Sequence, residues 1–284
     1  MKILVLGSSG MLGHIVTLYL RQIGHNVTDI SRRNKINADT ILLDVLTESG
    51  LSENMLATFD AIINCTALLV KPSENDKCRA IMLNSWFPHK LEEKTQNTET
   101  KVIQVSTDGV FSGCNAPYIE SDSTDSLTFY GKTKILGELN NTKDLTIRAS
   151  FVGPDMNVGG TGLFHWFAMQ KGNVNGYDSI MFNAVTSLEY VKFVAFALDE
   201  NISGIYHLRA SETISKSRFL HMAKETFGIE GVSINNTTDI YTDHTLSSIR
   251  TDINYNEKSY QEMFDDLKTW MYSNKNLYSH YDFL

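Results

Sequence analysis

An α/β chain built on a doubly wound parallel sheet, with a smaller α/β region woven into it, is what the sequence predicts. Three observations carry that expectation. Over the first 150 residues, short β-branched runs alternate with amphipathic stretches, the pattern of βαβ units and a parallel sheet. A glycine-punctuated turn, Gly7-Ser-Ser-Gly10-Met-Leu-Gly13, follows the first apolar run and opens the first helical pattern. One more strand-like run, Gly204–Leu208, sits late among helices, where a segment returning to the first sheet would lie.

The elements follow in order. Strands are expected at Lys2–Leu6, Asn26–Ser31, Thr40–Leu43, Ala61–Asn64, Lys101–Val105 and Leu145–Ile147. Helices are expected between them at Met11–Ile23, Ser52–Thr58, Asp76–Thr95 and Phe129–Asn140. In the first of these, Leu12, Ile15, Val16, Tyr19, Leu20 and Ile23 repeat at helical spacing. Beyond residue 150 the Gly-rich segment Gly153–Gly162 reads as a loop, followed by helices at Leu163–Gln170, Leu188–Leu198, Lys216–Phe227 and Tyr260–Ser273. Residues 1–150 are therefore expected to form a dinucleotide-binding domain and 151–284 mainly a substrate-binding domain, with a segment near 181–207 returning to the first.

Composition narrows the function classes. At 284 residues the chain is long enough for a sizeable core, and 42% hydrophobic with 20% charged residues is ordinary for a globular protein. A net charge of −8 disfavours a broad nucleic-acid footprint, which needs a basic face. Cys65, Cys78 and Cys114 are scattered and odd in number, so no disulfide framework or zinc site is expected, and a reducing cytoplasm fits. The apolar run after Met1 is too short for a secretory signal, and no stretch approaches the ~18–20 apolar residues of a membrane span.

The glycine turn is the first chemical motif. Gly7 permits a tight turn, Gly10 lets the backbone approach a pyrophosphate, and Gly13 lets helix and strand pack closely. The helix N-terminus then offers free N–H groups and a positive dipole end to phosphates. This is the arrangement of a Rossmann-type dinucleotide site, with Ser9, Met11 and Leu12 beside the glycines. At the end of the second strand, Ser31-Arg32-Arg33 offers a hydroxyl and guanidinium groups, which match a 2′-phosphate and favour NADP(H). NAD(H) stays open, because Asp29 is the selecting acid if the strand ends two residues earlier. Asp44, followed by Val45, is a candidate for the adenine amino group or for a helix N-cap. Cys65, Thr66 and Ala67, after the fourth strand, are also assigned to the cofactor.

The second motif is "FYGKTKILGE". Tyr130 and Lys134 are four apart on an expected helix and so share a face. A phenol with a reference pKa of about 10 is a poor proton donor or acceptor at neutral pH, and a nearby ammonium is expected to lower that pKa. Upstream, "STDGVF" places Ser106, Thr107 and Asp108 at the end of the fifth strand.

Together with "NCTA", "LNSW", "PYIESD", "IRASFVG" and "GIYHL", these motifs resemble the extended short-chain dehydrogenase/reductases and, more narrowly, the dTDP-4-dehydrorhamnose reductase family. The resemblance covers most of the chain. It implies an NADPH-dependent reduction of a nucleotide-diphospho-4-keto-6-deoxy sugar, for polysaccharide or glycoside biosynthesis, by a cytoplasmic monomer or homodimer that binds neither nucleic acid nor membrane. It implies Thr107, Tyr130 and Lys134 as the catalytic set, with Tyr130 and Lys134 also touching the cofactor. Thr107, Asp108, Val110, Phe111, Tyr130, Trp166, Thr186 and Arg250 are the implied substrate contacts, and Asn84 supports the floor of the site. No acidic cluster for a metal stands out.

The chain departs from the family in its second half. Val185 stands where a Pro precedes the Thr at Thr186, and His244-Thr245 stands where an Arg-Pro helps hold the nucleotide diphosphate, with Arg250 as the expected substitute. Two further readings stay open on the same fold: a nucleotide-sugar 4-epimerase with tightly bound NAD, and a non-catalytic cofactor-binding regulatory subunit. A dehydratase needs a second acid directly after Asp108, and the chain has Gly109 there.

Overall fold

The computed structural model describes residues 1–47 and 51–284. In its first part, strands β1 (Lys2–Leu6), β2 (Asn26–Ser31), β3 (Ile41–Leu42), β4 (Ala61–Asn64), β5 (Lys101–Val105) and β6 (Leu145–Arg148) alternate with helices. These are α1 (Met11–Gln22), α2 (Glu53–Leu56), α3 (Val70–Asn75), α4 (Lys77–Ile81), α5 (Phe87–Thr95) and α6 (Phe129–Ile135). The second part contains β7 (Phe151–Val152), α7 (Leu163–Ala168), β8 (Gly172–Tyr177), β9 (Ile180–Phe182), β10 (Val185–Thr186), α8 (Ser187–Asp199) and β11 (Gly204–His207). It continues through β12 (Ile214–Ser215), α9 (Lys216–Phe227), β13 (Val232–Thr237), β14 (Thr242–Asp243) and α10 (Tyr260–Ser273).

Seven strands form one sheet in the order β11-β6-β5-β4-β1-β2-β3. Every pairing in it is parallel. The strand order reverses after β1, and in such a sheet the ligand crevice opens at the carboxyl ends of β1 and β4. Both faces are covered, as a parallel sheet requires. Along β1, Ile3 and Val5 join the larger core with α1, α8 and α10, while Leu4 and Leu6 face a second core with Leu83, Phe87 and Leu91. The late strand Gly204–Leu208 forms as β11 and pairs with β6, so the second half contributes the seventh strand.

Several segments differ from the sequence expectation. The helix expected over Asp76–Thr95 is broken by a π turn, Met82–Trp86, between α4 and α5. Helix α6 ends at Ile135 rather than Asn140: a Cβ on Gly137 would lie 1.9 Å from the Asn84 carbonyl, so the chain turns where it meets the π segment. Strands β8 and β13 were not legible. They are rich in Asn and Gly, and pair in parallel with each other rather than with sequence neighbours.

Candidate active site

The glycine turn docks on the end of β2: Gly7 N–H and Ser8 N–H both donate to the Ile30 carbonyl, at 2.8 and 3.0 Å. Packing within the chain explains two of its glycines. Gly7 has φ +83°, and a Cβ on Gly13 would lie 2.1 Å from the Gly7 carbonyl. Gly10 is different. A Cβ there would meet only the Gly7 carbonyl, at 3.4 Å, so the missing side chain leaves room on the open side of the turn.

That side is a cleft of about 370 Å³, within the range of small-molecule sites. Gly7, Ser9, Gly10, Ser31, Arg32, Asp44, Val45, Cys65, Thr66 and Ala67 all line it. A second cleft of about 180 Å³ shares Gly10, Cys65, Thr66 and Ala67 with the first and continues to Met11, Leu12, Tyr130 and Lys134. The two adjoining clefts therefore gather every residue assigned to the cofactor.

The end of β2 bears on the alternative that Asp29 posed, because β2 runs to Ser31. Asp29 is buried within the strand and ion-paired with Arg21 of α1 at 2.7 Å. Arg32 and Arg33 line the first cleft, and among the described residues neither has a carboxylate within ion-pair distance. Burial, Arg33 and Arg79 lower the Arg32 pKa, the last two by crowding like charge. Asp44 caps Leu46 N–H at 3.2 Å and pairs with Arg79 at 2.6 Å. Sequence reading passed over Arg79. Its signal was present, since Asp76 caps α4 and so orients it, but its reach to Asp44, 35 positions away, is tertiary.

At the inner end, Thr107, Tyr130 and Lys134 converge from two elements. Thr107, two residues past the end of β5, caps a short 3-10 turn, accepting Gly109 N–H at 3.0 Å and donating to Asp108 Oδ1 at 3.1 Å. Tyr130 and Lys134 stand on α6, capped by Thr128. The Tyr130 ring packs against the turn that Thr107 caps: a Cβ on Gly109 would lie 3.3 Å from Thr107 Oγ1 and 3.9 Å from Tyr130 Cε1. Burial pushes the Tyr130 pKa up to about 12, the Asp108 carboxylate adds to the rise, and the neighbouring Thr107 hydroxyl opposes it. Burial lowers Lys134 to about 8, opposed by Glu138 and Cys65. The ammonium donates to the Val105 carbonyl at 2.6 Å. The expectation that Lys134 depresses the Tyr130 pKa does not hold in this arrangement. The ammonium is tied to β5, and burial beside Asp108 dominates at the phenol.

The surrounding residues set this geometry. Glu138 holds Arg148 with two contacts, at 2.8 and 2.7 Å, and accepts Ser106 Oγ at 2.7 Å. Ser106 thus shapes the strand end. Asn84, on the π turn, grips both Leu68 backbone groups and Thr133 of α6, at 2.8 to 3.0 Å. A π turn at such a position is common near functional sites.

The implied substrate contacts are not all brought to the site. Thr107 and Asp108 lie beside Tyr130. Val110 and Phe111 are buried in a small core with Tyr118 and Leu246, so their side chains are closed to a ligand. Trp166 is exposed on α7 and lines neither cleft. Thr186 is buried as the N-cap of α8, accepting Glu189 N–H at 3.1 Å. Arg250 pairs doubly with Asp252, at 2.8 and 2.7 Å, and donates to the Ser203 and Ile205 carbonyls at the start of β11. That is the end of the sheet opposite the crevice, so Arg250 does not replace the family arginine. Asp155, Asn157 and Thr161 of the Gly-rich loop do line the clefts. Sequence reading treated that loop only as a connection.

A parallel sheet with its reversal at β1, a glycine turn beneath a cleft, and a Tyr-x-x-x-Lys helix facing a strand-end threonine define an extended short-chain dehydrogenase/reductase. Comparison with known proteins narrows the class. The family model described as the RmlD substrate binding domain matches residues 1–252, and the chain belongs to that family. It is 28% identical over 253 residues to the spore coat polysaccharide biosynthesis protein SpsK of Bacillus subtilis, covering 86% of each chain. It is 27% identical to the dTDP-4-dehydrorhamnose reductase of Salmonella typhimurium, over 75% of this chain and 74% of that one. The solved dTDP-4-dehydrorhamnose reductase of Bacillus anthracis, in complex with NADP, superposes with a TM-score of 0.77 at 16% identity, over 95% of this chain and 99% of that one; at that identity the likeness shows the fold.

Proposed function

We propose that the protein reduces the keto group of a nucleotide-diphospho-4-keto-6-deoxy sugar with NADPH, in making a deoxysugar for a polysaccharide or glycoside. The observation that carries this reading is the meeting of Tyr130 and Lys134 at the inner end of the dinucleotide cleft, with Thr107 beside a phenol that stays protonated at neutral pH. Membership of the family and the printed roles of its relatives support the substrate class. The chain's own groups fit the cofactor. The open side of Gly10 and the first N–H groups of α1 suit a diphosphate, and Ser31, Arg32 and Arg33 suit a 2′-phosphate.

When bound, the reduced dinucleotide supplies the hydride. Thr107 holds the keto oxygen in place, and Tyr130 delivers a proton to it as charge develops there. Lys134, anchored on Val105, orients the ribose and balances charge as the phenol gives up its proton. Burial, with Asp108 adding to it, keeps the phenol protonated until the alkoxide, a far stronger base, claims the proton. Gly109 provides no second acid, so elimination of water is not part of the chemistry. The burial and pairing of Asp29 weigh against the NAD-recycling epimerase. The test is incubation of folded protein with NADPH and a panel of nucleotide-4-keto-6-deoxy sugars, followed by nicotinamide absorbance. Oxidation with at least one of them is expected. No oxidation with any, or a full complement of non-exchanging NAD on the purified protein, overturns the reading.

A further inference from the structure

Two buried tyrosines beyond α10 line neither of these clefts, yet each belongs to a chain of hydrogen bonds that leads to a cleft wall. Tyr278 and Tyr281 are 0% and 2% exposed. Trp270 Nε1, which can only donate, gives its hydrogen to Tyr278 Oη at 3.2 Å. The Tyr278 hydroxyl hydrogen is then directed to His14 Nε2 at 2.8 Å. With Nε2 accepting, the neutral imidazole carries its hydrogen on Nδ1 and donates it to the Gly10 carbonyl at 2.9 Å. That carbonyl also receives His14 N–H at 3.1 Å. Because the peptide unit is planar and trans, fixing the Gly10 carbonyl also fixes the direction of the Met11 N–H at the mouth of the glycine turn.

Tyr281 serves the opposite wall. Its hydroxyl oxygen accepts Asp155 N–H at 2.9 Å and its hydrogen reaches His165 Nδ1 at 2.6 Å. His165 Nε2–H then donates to the Val158 carbonyl at 3.3 Å. Asp155 in turn gathers the loop, its carboxylate accepting Asn157 N–H at 2.9 Å and Thr161 N–H at 3.3 Å. Asn157 and Thr161 face the two clefts.

We propose that Tyr278 and Tyr281 are positioning residues for the dinucleotide: through His14 and His165 they hold the glycine turn and the 155–161 loop at the spacing the cofactor needs. The proposal rests on the dinucleotide reading above and adds to it the part of the chain that presets the cleft. The Tyr278 chain has one consistent donor order with a neutral histidine in the middle; in the other, the Tyr281 hydroxyl also faces the Asp155 carbonyl at 3.4 Å, so either direction of its hydrogen keeps it on the loop. Burial keeps His14 in that neutral form at working pH, lowering its pKa to about 4 against the raising effects of the Gly10 and Met11 backbone and of Asp155.

The test compares Tyr278→Phe and Tyr281→Phe with the intact protein, by fluorescence titration of NADPH and of NADH and by steady-state kinetics. Tyr255→Phe is the matched control. Tyr255 loses an equally well-made bond, to Glu189 Oε1 at 2.7 Å, but is linked to neither wall. Each tail variant is expected to raise the Kd for the preferred dinucleotide about three- to tenfold, and its KM likewise. The kcat at saturation should stay within about twofold, and Tyr255→Phe should leave Kd unchanged at a temperature well below unfolding. Unchanged Kd in the tail variants, or an equal rise in Tyr255→Phe, overturns the proposal. If one tail variant does not fold, the other still decides it, since the two chains are separate. Intact protein that binds neither dinucleotide overturns the functional reading, and this proposal with it. Intact protein that binds, beside tail variants that bind equally well, overturns this proposal alone.

Discussion

At the residue scale the proposed reduction depends on groups whose charge states are set by burial. Tyr130, pushed up to about 12, is a neutral phenol throughout the working range, which suits it to donate rather than accept a proton in the proposed reduction. Tyr130→Phe removes that proton while keeping the ring. A loss of about 10²- to 10⁴-fold in kcat is expected, the usual contribution of a positioned acid, with the NADPH Kd within about threefold. Unchanged turnover would take Tyr130 out of the chemistry. Lys134 titrates first as pH rises. Its folded pKa, about 8, lies below the unbound lysine value, so its positive charge is present below pH 8 and lost above it. The kcat/KM profile should therefore fall with a midpoint near 8, and a profile flat to pH 10 would count against a role for the ammonium. At the cleft mouth, Arg32 and Arg33 have no carboxylate partner among the described residues and are available to a 2′-phosphate. Charge-assisted hydrogen bonds are worth about 1.5–3 kcal/mol, so the double Arg32→Ala, Arg33→Ala variant should weaken NADPH by about 10- to 100-fold. NADH binding should hardly change, and equal losses for both dinucleotides would refute the assignment.

At the element scale, the site exists because α6 and the end of β5 pack more closely than side chains normally allow. A Cβ on Gly131 would lie 1.9 Å from Ser126 Oγ and 2.3 Å from the Gly109 carbonyl. Gly131→Ala must therefore push the helix that carries Tyr130 and Lys134 away from the turn that carries Thr107. Overpacking of this kind costs about 1–3 kcal/mol, readable in denaturant unfolding. Turnover should fall further than stability alone explains, while NADPH still binds. Full activity in Gly131→Ala would mean that the close approach is not needed. The strands on either side of this contact were legible in the sequence, because β1, β4 and β5 are short, mainly apolar runs and β2 sets Val27, Thr28 and Ile30 among polar residues. The residue types at the strand-five end and on α6 were legible as motifs. What the sequence concealed is tertiary. Helical periodicity does not distinguish a π turn at Asn84 from a continuous α-helix, and nothing local in Asn-rich β8 announces a partner about sixty residues on. Arg250 reads as a free cation until Asp252, two residues away, is seen to hold it. Val110 and Phe111 sit in a motif that touches the site, yet their side chains turn into a core formed with Tyr118 and Leu246.

At the scale of the whole molecule, the second half of the chain does not form a separate unit. It supplies the seventh strand of the sheet, and α8 and α10 share one core with β1 and α1. Within that shared core lies His14, fully buried and neutral. Unfolded, its imidazole takes up a proton as pH falls through about 6.5; folded, it resists until about 4. The unfolded chain therefore binds more protons between those values, and stability falls as pH drops from 6.5 to 4. For His14 alone the loss is on the order of 3 kcal/mol by pH 4. His207, also lowered by burial although Glu120 opposes the shift, acts in the same direction. Glu189 and Glu257, raised by burial, act in the opposite direction because their folded forms hold protons longer. Comparison with His14→Gln isolates the histidine, since every other group is common to both proteins. Unfolding free energies from urea titrations at several pH values between 6.5 and 4.5 should fall more steeply for the intact protein than for His14→Gln. The variant should begin less stable, having lost its link between Tyr278 and Gly10, and should close part of that gap as the medium becomes acid. Parallel pH dependences in the two proteins would show that His14 is not what makes this fold sensitive to acid.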